Sequence, residues 1–465
     1  MPYTRQEIEN QHQHYKGMMP RWEYFIRSYL GGKEYQDGKY LQPYQLEFEN
    51  EYYKRIQYTA LDNHCRNVID IYSSFLFRVE PTRQLGSLQD DLSVEQFLDD
   101  ADLEGRSFDA LMREAQRFAS VYGHIWLLLD KPSTNVMTRA EELNQGIRPY
   151  INIYTPENVL DWNYCRSGAG YYYLDYLKIR ETSNDDGDYY KLWFVDKIDT
   201  VFISNKNRDE PKLMESVPNP IGKIPAVILY NQRSPMRGLG VSDLTDVADL
   251  QKAIYNEFSE IEQIIRLSNH PSLVKTKDTD AGAGAGSIIE IPENLDANLK
   301  PYILQPNGSN LDSVLKAINC KVEAINRLSH VGTIRATSER VQSGIALRTE
   351  FELLNARLSE KSKLMELAEE QIWRLFADWQ ETVFDGEIEY PESFDIRDWA
   401  TDLELLQSAK ASNIKSATFA KEIDKQIAKT VIDDDMTLEQ INSEIDSNTT
   451  AIGEFPQQPI TLPTV

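Results

Sequence analysis

Cysteine and histidine are scarce in this chain of 465 residues, which contains three cysteines and six histidines. Cys65, Cys165 and Cys320 lie far apart and match no His–Cys spacing of a zinc site. Neither a disulfide framework nor a structural metal is therefore indicated. A reducing compartment is the simplest interpretation.

Long hydrophobic runs are also missing. The longest ones, such as residues 125–129 and 226–230, are far shorter than the roughly 20 residues that a bilayer requires. The first residues lack the charged-then-apolar order of a signal peptide. We therefore expect no contact with a membrane, and we interpret the short apolar runs as strands.

Positive charge is in deficit, because 49 Lys and Arg face 74 Asp and Glu, for a net charge of -25. Such a balance argues against a protein that holds nucleic acid by neutralising its phosphates. It does not exclude nucleic acid that passes by, because an acidic surface avoids strong phosphate contacts. Plain solubility is the alternative explanation of the charge.

Catalytic motifs are absent too. The chain has no His-Glu-x-x-His helix, no Gly-x-Ser-x-Gly elbow and no P-loop lysine. We predict no enzyme activity, no catalytic residue, no metal site and no cofactor. The glycine run at residues 281–286 is either a flexible loop or a phosphate cradle, and residues 287–291 after it resemble a strand.

What the chain does contain is a mixture of helical and strand patterns. Residues 4–30, 44–77 and 107–119 have helical spacing, with Gly123 ending the last helix before an apolar strand. Residues 150–230 are rich in Tyr, Ile, Val and Trp and contain turn residues, which predicts an antiparallel sheet. The expected fold class is α+β and mainly helical. Residues 384–390 look irregular, and residues 398–432 return to helical spacing.

Two matched helices and one long helix dominate the second half. Their apolar residues recur at steps of three and four, and are Leu244, Val247, Leu250, Ile254, Phe258, Ile261 and Ile265; then Leu311, Val314, Ile318, Val322, Ile325 and Leu328; then Leu347, Phe351, Leu354, Leu358, Met365, Ala368, Ile372, Leu375 and Trp379. Ser242 is predicted to cap the first helix, with Asp243 and Asp246 in its first turn. Ser309 and Asp312 predict a similar start for the second helix.

Two pairs of residues allow two interpretations each. Trp373 and Trp379 could form an aromatic platform for nucleotides, although their helical spacing is more typical of packing. Arg335 and Arg340 lie in a segment without an apolar stripe, so we expect them to be exposed. They belong either to a solvated loop or to a phosphate contact.

The order of several motifs resembles the portal proteins of tailed bacteriophages, of the siphovirus-like type, over most of the chain. Those motifs are Tyr40-Leu41-Gln42-Pro43 with Tyr53, Arg55, Ala60, Asn63 and Phe77-Arg78 before Pro81; Arg148-Pro149-Tyr150, Tyr154-Thr155-Pro156-Glu157 and Asp161-Trp162; Gly240-Val241-Ser242-Asp243-Leu244, Asp249-Leu250-Gln251 and Tyr255-Asn256; and Ser343-Gly344-Ile345-Ala346-Leu347.

This resemblance implies a portal-like division of the chain. The expected parts are a wing at residues 1–241, a first stem helix at 242–268, a clip at 269–308, a second stem helix at 309–329, a tunnel loop at 330–343, a long wing helix with its exit at 344–394, a crown at 395–446 and a flexible tail at 447–465. One departure from the family is a short clip with an Ala-Gly run.

The resemblance also implies a function. The family forms a homo-oligomeric ring, expected to be a dodecamer, at one capsid vertex, and double-stranded DNA passes through it non-specifically during packaging and ejection. The implied partners are the terminase large subunit, a head-completion or tail adaptor protein, and the major capsid and scaffolding proteins. Localisation would be the virion, with assembly in the host cytoplasm.

Candidate site residues follow from the same resemblance. Arg335, Thr337, Ser338 and Arg340 would face DNA from the tunnel loop. Lys275, Lys277, Asp278, Glu290 and Glu293 would face the motor or adaptor from the clip. Two alternatives to the portal function are a non-viral helical scaffold or adaptor and a nucleotide-binding enzyme.

Overall fold

The predicted fold class, α+β and mainly helical, is confirmed. A computed structural model describes residues 3–89, 91–132, 141–142, 145–184, 186–205, 210–269, 272–277, 280–281, 289–290, 296, 299–304, 311–335, 344–394, 399–412, 414, 416–432 and 435–447. The chain divides into two compact units, the first ending at Phe394 and the second beginning at Asp395.

The helices of the described residues are α1 Arg5–Glu9, α2 Tyr15–Leu30, α3 Gly32–Asp37, α4 Glu49–Tyr58, α5 His64–Leu76, α6 Leu92–Asp99, α7 Phe108–Tyr122, α8 Val247–Asn269, α9 Leu311–Ser329, α10 Gly332–Arg335, α11 Gly344–Trp379, α12 Trp399–Ala411, α13 Ala417–Val431 and α14 Asp435–Ser447. The strands are β1 Thr82–Gln84, β2 His124–Asp130, β3 Tyr150–Tyr154, β4 Val159–Arg166, β5 Tyr172–Ser183, β6 Gly187–Phe194, β7 Lys197–Ser204, β8 Lys212–Pro218, β9 Ala226–Tyr230, β10 Ser272–Val274, β11 Asp280–Ala281, β12 Ile289–Glu290, β13 Tyr302–Leu304 and β14 Glu387–Glu389.

The N-terminal helices are more broken than the sequence pattern predicts. The first segment stops at Glu9, and the His12 amide then donates to the Leu160 carbonyl at 2.9 Å. The second segment begins only at Glu49 and breaks before Asn63, whose side chain accepts from the Arg66 amide as an N-cap. The apolar spacing spans these breaks, which explains why each segment resembles one helix.

Helix α7 and strand β2 agree with the prediction. Ser107 caps the helix, and Gly123 ends it in the left-handed region at φ +96°. A Cβ on Gly123 would lie 2.7 Å from the Gly240 carbonyl oxygen, so a side chain there would displace the loop beside it.

The predicted antiparallel sheet between residues 150 and 230 is confirmed, but it forms two sheets. One has the order β3-β2-β9, and the other has the order β4-β5-β6-β7-β8. A further strand, β14, lies within residues 384–390, which the sequence pattern treated as irregular; it pairs with β1. Its three residues are too few for a clear alternation.

The first unit has two main hydrophobic clusters, which share the three-stranded sheet. Trp126 and Leu128 of β2 belong to one cluster, and the alternate residues Ile125, Leu127 and Leu129 belong to the other. Strand side chains alternate between the two faces of a sheet, so β2 is buried on both. Helix α11 contributes to both clusters as well, with Leu354 and Leu358 in the first and residues from Met365 onward in the second.

The second unit contains helices α12 to α14. Ser416 caps α13, and the Lys425 ammonium pairs with the Asp446 carboxylate of α14 at 2.7 Å. Helical spacing predicted in residues 398–432 corresponds to α12 and α13. The assignment of this unit as a crown stays a prediction. Across the described parts of both units, no helix combines the length and apolarity needed to cross a membrane.

Candidate functional site

Helices α8 and α9 pack against each other as an antiparallel pair. Ile254 and Ile261 of α8, with Ile318 and Ile325 of α9, are buried in the same cluster. The Lys321 ammonium pairs with the Glu257 carboxylate, and beyond the helices Ser272 pairs with Leu304 in the β10–β13 ladder. The two chain segments therefore run in opposite directions.

The ends of the two apolar stripes remain uncovered. Ile265 is 40% exposed and Leu328 is 48% exposed, and Leu315 on α9 is 40% exposed. The exposed positions of the pair carry more carboxylates than cations: the carboxylates are Asp249, Glu260, Glu262, Asp312 and Glu323, and the cations are Arg266, Lys316 and Arg327.

The predicted N-cap role of Ser242 is wrong, because α8 begins at Val247. Ser242 is buried, and its hydroxyl donates to the Val121 carbonyl at 2.5 Å and accepts from the Leu244 amide at 3.0 Å. The last carbonyls of a helix lack partners within the helix. Ser242 therefore provides a hydrogen bond to a backbone carbonyl at the end of α7 and does not cap the start of α8.

Asp243 likewise does not serve as a first-turn charge. Its carboxylate lies 2.6 Å from the Lys361 ammonium and 2.6 Å from the Arg357 guanidinium, both on α11. Lys361 also contacts the side chains of Ser120, at 3.1 Å, and Asn231. We call these five residues the polar junction.

The polar junction explains an interruption in the apolar stripe of α11. Lys361 and Ser362 stand between the part of the helix in the first cluster and the part in the second, and both are buried. Burial alone would raise the pKa of Asp243, but Lys361 and Arg357 hold it below the ordinary value. The two cations on α11 therefore compensate the free-energy cost of burying the Asp243 carboxylate.

The N-terminal motifs and the α8 motif meet at one place. The Asn256 side chain accepts from the Gln42 amide at 2.8 Å and donates to the Tyr40 carbonyl at 3.1 Å. Arg55 reaches the Ser259 hydroxyl at 3.0 Å while it pairs with the Glu47 carboxylate at 2.7 Å. Motifs about 200 residues apart in the sequence are therefore neighbours in the fold.

Gln251 connects α8 to the N-terminal helices through buried hydrogen bonds. It is fully buried, accepts from the Cys65 amide at 2.8 Å, and donates to the Ser28 carbonyl at 3.1 Å. A buried amide side chain needs such partners, because an unmade hydrogen bond in the interior is costly. The first half of α8 is thus fixed to helices α2 and α5.

Arg335 is less exposed than the sequence predicts. It is the last residue of the short helix α10, is half-buried, and its guanidinium contacts the His64 imidazole. The His64 ring also lies 3.1 Å from the Asp62 carboxylate. Between α9 and α10, His330 has a positive φ of 55° and Val331 is buried. Thr337, Ser338 and Arg340 lie outside the described residues.

The excursion between α8 and α9 contains two antiparallel strand pairs, β10–β13 and β11–β12. Lys275 and Lys277 are both exposed, and Glu290 belongs to β12. Asp278, Glu293 and residues 282–286 of the glycine run lie outside the described residues. The assignment of these residues to a clip stays a prediction.

The two tryptophans of α11 are packing residues. Trp373 is fully buried, lies among Phe97, Phe108 and Phe376, and donates to the Glu369 carboxylate at 3.1 Å. Trp379 donates to the Leu129 carbonyl at 3.1 Å. Trp373 therefore offers no free face to a nucleotide, whereas Trp379 is half-buried and is held by its bond to β2.

Sequence reasoning missed the polar junction and the role of Gln251. The interruption at Lys361 and Ser362 was the available signal, since two polar residues within an apolar stripe indicate a buried polar partner elsewhere. In the parts of the chain that the structure describes, no three His, Cys, Asp or Glu side chains gather as a metal site would require.

No protein-family model matches the chain, and no curated protein matches it. Among solved structures, similarity is found to a chain in the neck of an empty gene transfer agent particle computed with C6 symmetry, with a TM-score of 0.47, 9% identity, and coverage of 82% of this chain and 95% of that chain. A chain in the neck of a native particle computed with C12 symmetry has a TM-score of 0.43 and 9% identity, with 77% and 89% covered. One in the virion of a native gene transfer agent particle has a TM-score of 0.42 and 8% identity, with 86% and 98% covered.

Proposed function

We propose that this chain is the subunit of a portal ring, which occupies one capsid vertex and conducts double-stranded DNA during packaging and ejection. The motifs of the portal resemblance and their contacts support this function. The single observation that carries it is the meeting of motifs at the first half of α8, where Arg55 and Asn256 both bond to the Tyr40–Pro43 motif and Arg55 also bonds to Ser259.

The architecture suits a stem anchored in a wing. Helices α8 and α9 form the stem, and the body formed by the first helices and sheets is the wing. The polar junction ties the segment before α8 to α7 and α11, and Gln251 ties α8 itself to α2 and α5. A stem held in this way keeps a defined angle to its wing, which a ring of many identical subunits requires.

Ring closure needs a heterologous interface, in which one face of the subunit meets a different face of the next copy. The exposed apolar residues Ile265, Leu315 and Leu328 supply contact area on the helix pair. Subunit number depends on small interface angles, and twelve is the value that the resemblance implies.

DNA would pass along walls that carry many carboxylates. Exposed acidic residues on α8 and α9 repel phosphates, so they avoid the counterion-release contacts that hold DNA in place. Arg340, with Arg335 beside it, would make transient phosphate contacts from the tunnel loop. Lys275, Lys277 and Glu290, with Asp278 and Glu293, would meet the terminase large subunit and later the tail adaptor.

Mass measurement and electron microscopy of the purified full chain test the ring. We expect a closed ring with a central hole, with the chain remaining monomeric only before assembly. A monomer across all concentrations, salt conditions and capsid-protein additions would contradict the proposal.

The tunnel-loop role is tested in particles that carry Arg340→Glu. DNA packaging or retention should fall while ring assembly is unchanged. The double variant Arg335→Glu with Arg340→Glu should lower DNA packaging or retention further, and it also removes the Arg335 contact with His64. Arg21→Glu on the exposed face of α2 is the matched control, and normal DNA filling by the Arg340 variants would count against the role.

The scaffold alternative is weakened by the packing of α11. A coiled coil needs a free apolar seam along the helix. Leu354, Leu358, Met365 and Ile372 of this helix are instead buried against their own chain. The nucleotide-binding alternative depends on residues 282–286, outside the described part of the chain, and no observation favours it.

A further inference from the structure

A cleft of about 530 Å³ opens beside the edge strand β9, between that strand, the β4–β5 hairpin and the loop at residues 231–240. Four tyrosines line it, and they are Tyr164, Tyr172, Tyr173 and Tyr230. We call it the tyrosine cleft. Its volume is within the usual range of ligand-binding pockets.

The charge of the tyrosine cleft is opposite to that of the chain. Lys223, Arg233 and Arg237 line it, and none of its lining residues is acidic, although the chain has a net charge of -25. Lys223 pairs with the Asp378 carboxylate. The two arginines are exposed, and among the described residues neither has a carboxylate within ion-pair distance.

Both arginines instead lie over tyrosine rings. The Arg237 guanidinium is 3.7 Å from the Tyr172 ring centre, and the Arg233 guanidinium is 5.4 Å from the Tyr230 ring centre. Stacking holds the plane of a guanidinium but leaves its edge N–H donors unused. Those donors match the two oxygens of a carboxylate.

The loop that carries the arginines is internally braced. The Ser234 amide donates to the Leu239 carbonyl at 3.2 Å, and the Val241 amide donates to the Gln232 carbonyl at 2.9 Å. Gly238 has a φ of +84°, and a Cβ there would lie 2.3 Å from the Trp162 indole nitrogen. A loop ordered before binding loses little conformational entropy when a ligand arrives.

We infer that the tyrosine cleft binds a short acidic peptide segment of a partner protein, with its carboxylates on Arg233 and Arg237 and its apolar or prolyl side chains on the tyrosine rings. This binding site is separate from the proposed portal function, because the tyrosine cleft contains no residue of α8, α9 or the tunnel loop. Tyr172 and Tyr173 are 49% and 41% exposed, so the parts of these rings that Arg237 does not cover are open to such a ligand.

Charge count favours a peptide over nucleic acid. Two unpaired arginines neutralise too few phosphates to hold a polyanion against a chain of this net charge. One or two carboxylates, in contrast, are fully matched by two guanidinium forks. Tyrosine and arginine together are also the residues that dominate protein recognition surfaces.

Fluorescence anisotropy of the full chain tests this inference. The probe is a labelled hexapeptide of alternating Glu and Pro, and the analogue with Gln in place of Glu is the uncharged comparison. We expect saturable binding of the acidic probe and at least tenfold weaker binding of the analogue, an effect on the order of that of a charged hydrogen bond.

Variants locate the site. Arg237→Gln and Arg233→Gln should each weaken binding of the acidic probe about tenfold or more. Arg237→Lys should recover only part of the lost affinity, because lysine lacks the planar fork. Arg266→Gln is the matched control, because Arg266 also lies over a tyrosine, Tyr58, at 4.3 Å, but away from the tyrosine cleft. Circular dichroism checks that each variant is folded.

A second labelled peptide, with residues 430–437 of this chain and their run of three aspartates, distinguishes the source of the ligand. Binding of the Glu-Pro probe without binding of this peptide supports a partner protein as the occupant, and tighter binding of this peptide than of the Glu-Pro probe would overturn it in favour of a second copy of the chain. Three peptide results would overturn the inference: equal binding of the Glu and Gln probes, unchanged binding in both arginine variants, or no binding at all. It is also overturned if a thymidine dodecanucleotide displaces the probe at a lower concentration than the unlabelled peptide does.

Discussion

The two ends of the α8–α9 pair differ in how they are held. At the base, the side chains of Gln251 and Asn256 bond to backbone carbonyls elsewhere in the first unit, and the Tyr72 hydroxyl donates to the Ser329 carbonyl at 2.5 Å. Further along, Ile265 and Leu315 are partly exposed on the surface of the pair. Leu328, next to Ser329 at the base, is exposed as well, so the base is distinguished by its buried hydrogen bonds and not by apolar burial.

The difference shows where specificity resides in such a fold. Apolar burial is non-directional and would tolerate small shifts of one helix along another. The buried polar contacts at the base have a single good geometry, so they fix the direction of the helix pair. Four substitutions or conditions can break or sharpen this comparison.

The largest effect is expected from Asp243→Ala, because it leaves Lys361 and Arg357 without their carboxylate. Removing one partner of a buried ion pair costs about 3–5 kcal/mol of unfolding free energy. Denaturant titration measures it. Glu262→Ala, an exposed residue on α8, is the control and should change stability by less than about 0.5 kcal/mol. A similar small change for Asp243→Ala would mean that the base is not held by the polar junction.

Acid should weaken the same anchor. Lys361 and Arg357 hold the folded pKa of Asp243 below its ordinary value, so its contribution is complete above the unfolded value of about 3.9 and is lost as pH falls through the folded pKa. The stability difference between the native chain and Asp243→Asn should therefore shrink as pH falls from 7 toward 3. A difference that stayed constant over this range would show that the Asp243 charge does not stabilise the fold.

Sequence periodicity predicted the helices α7, α8, α9 and α11 because each buries an apolar stripe, although that of α11 is interrupted at Lys361 and Ser362. It placed the start of α8 at Ser242, five residues early, because a serine that satisfies the carbonyls of α7 looks the same in sequence as a serine that caps the next helix. Local patterns carry no information about a partner more than 100 residues away.

The site was less predictable than the fold for the same reason. The motifs with Arg55 and Asn256 could be recognised in sequence, but their contact depends on how α4 and α8 meet in three dimensions. The tyrosine cleft likewise combines β4, β5, β9 and the loop at 231–240. Its arginines stand in a proline-bearing stretch that reads as an ordinary surface loop.

A smaller loss is expected from Gln251→Ala, which leaves the Cys65 amide and the Ser28 carbonyl without partners. Each unmade buried hydrogen bond costs about 1–3 kcal/mol. Hydrogen exchange at the Cys65 amide should accelerate, which distinguishes a lost anchor from general destabilisation. Gln263→Ala, further along α8, is the matched control. Equal loss in the two variants would remove the distinction between the ends.

The smallest effect is expected for the pair Glu257 and Lys321 in the middle of the helices. Their side chains are 22% and 27% exposed, so water screens the charges and the coupling free energy should be no more than about 1 kcal/mol. A double-mutant cycle with Glu257→Ala and Lys321→Ala measures it, because the cycle removes the separate effect of each side chain. A coupling well above that value would mean that the pair is fixed along its length as firmly as at its base. The uncovered residues Ile265 and Leu315 would then sit on a rigid rod, and a neighbouring subunit could pack against them without first ordering the helices.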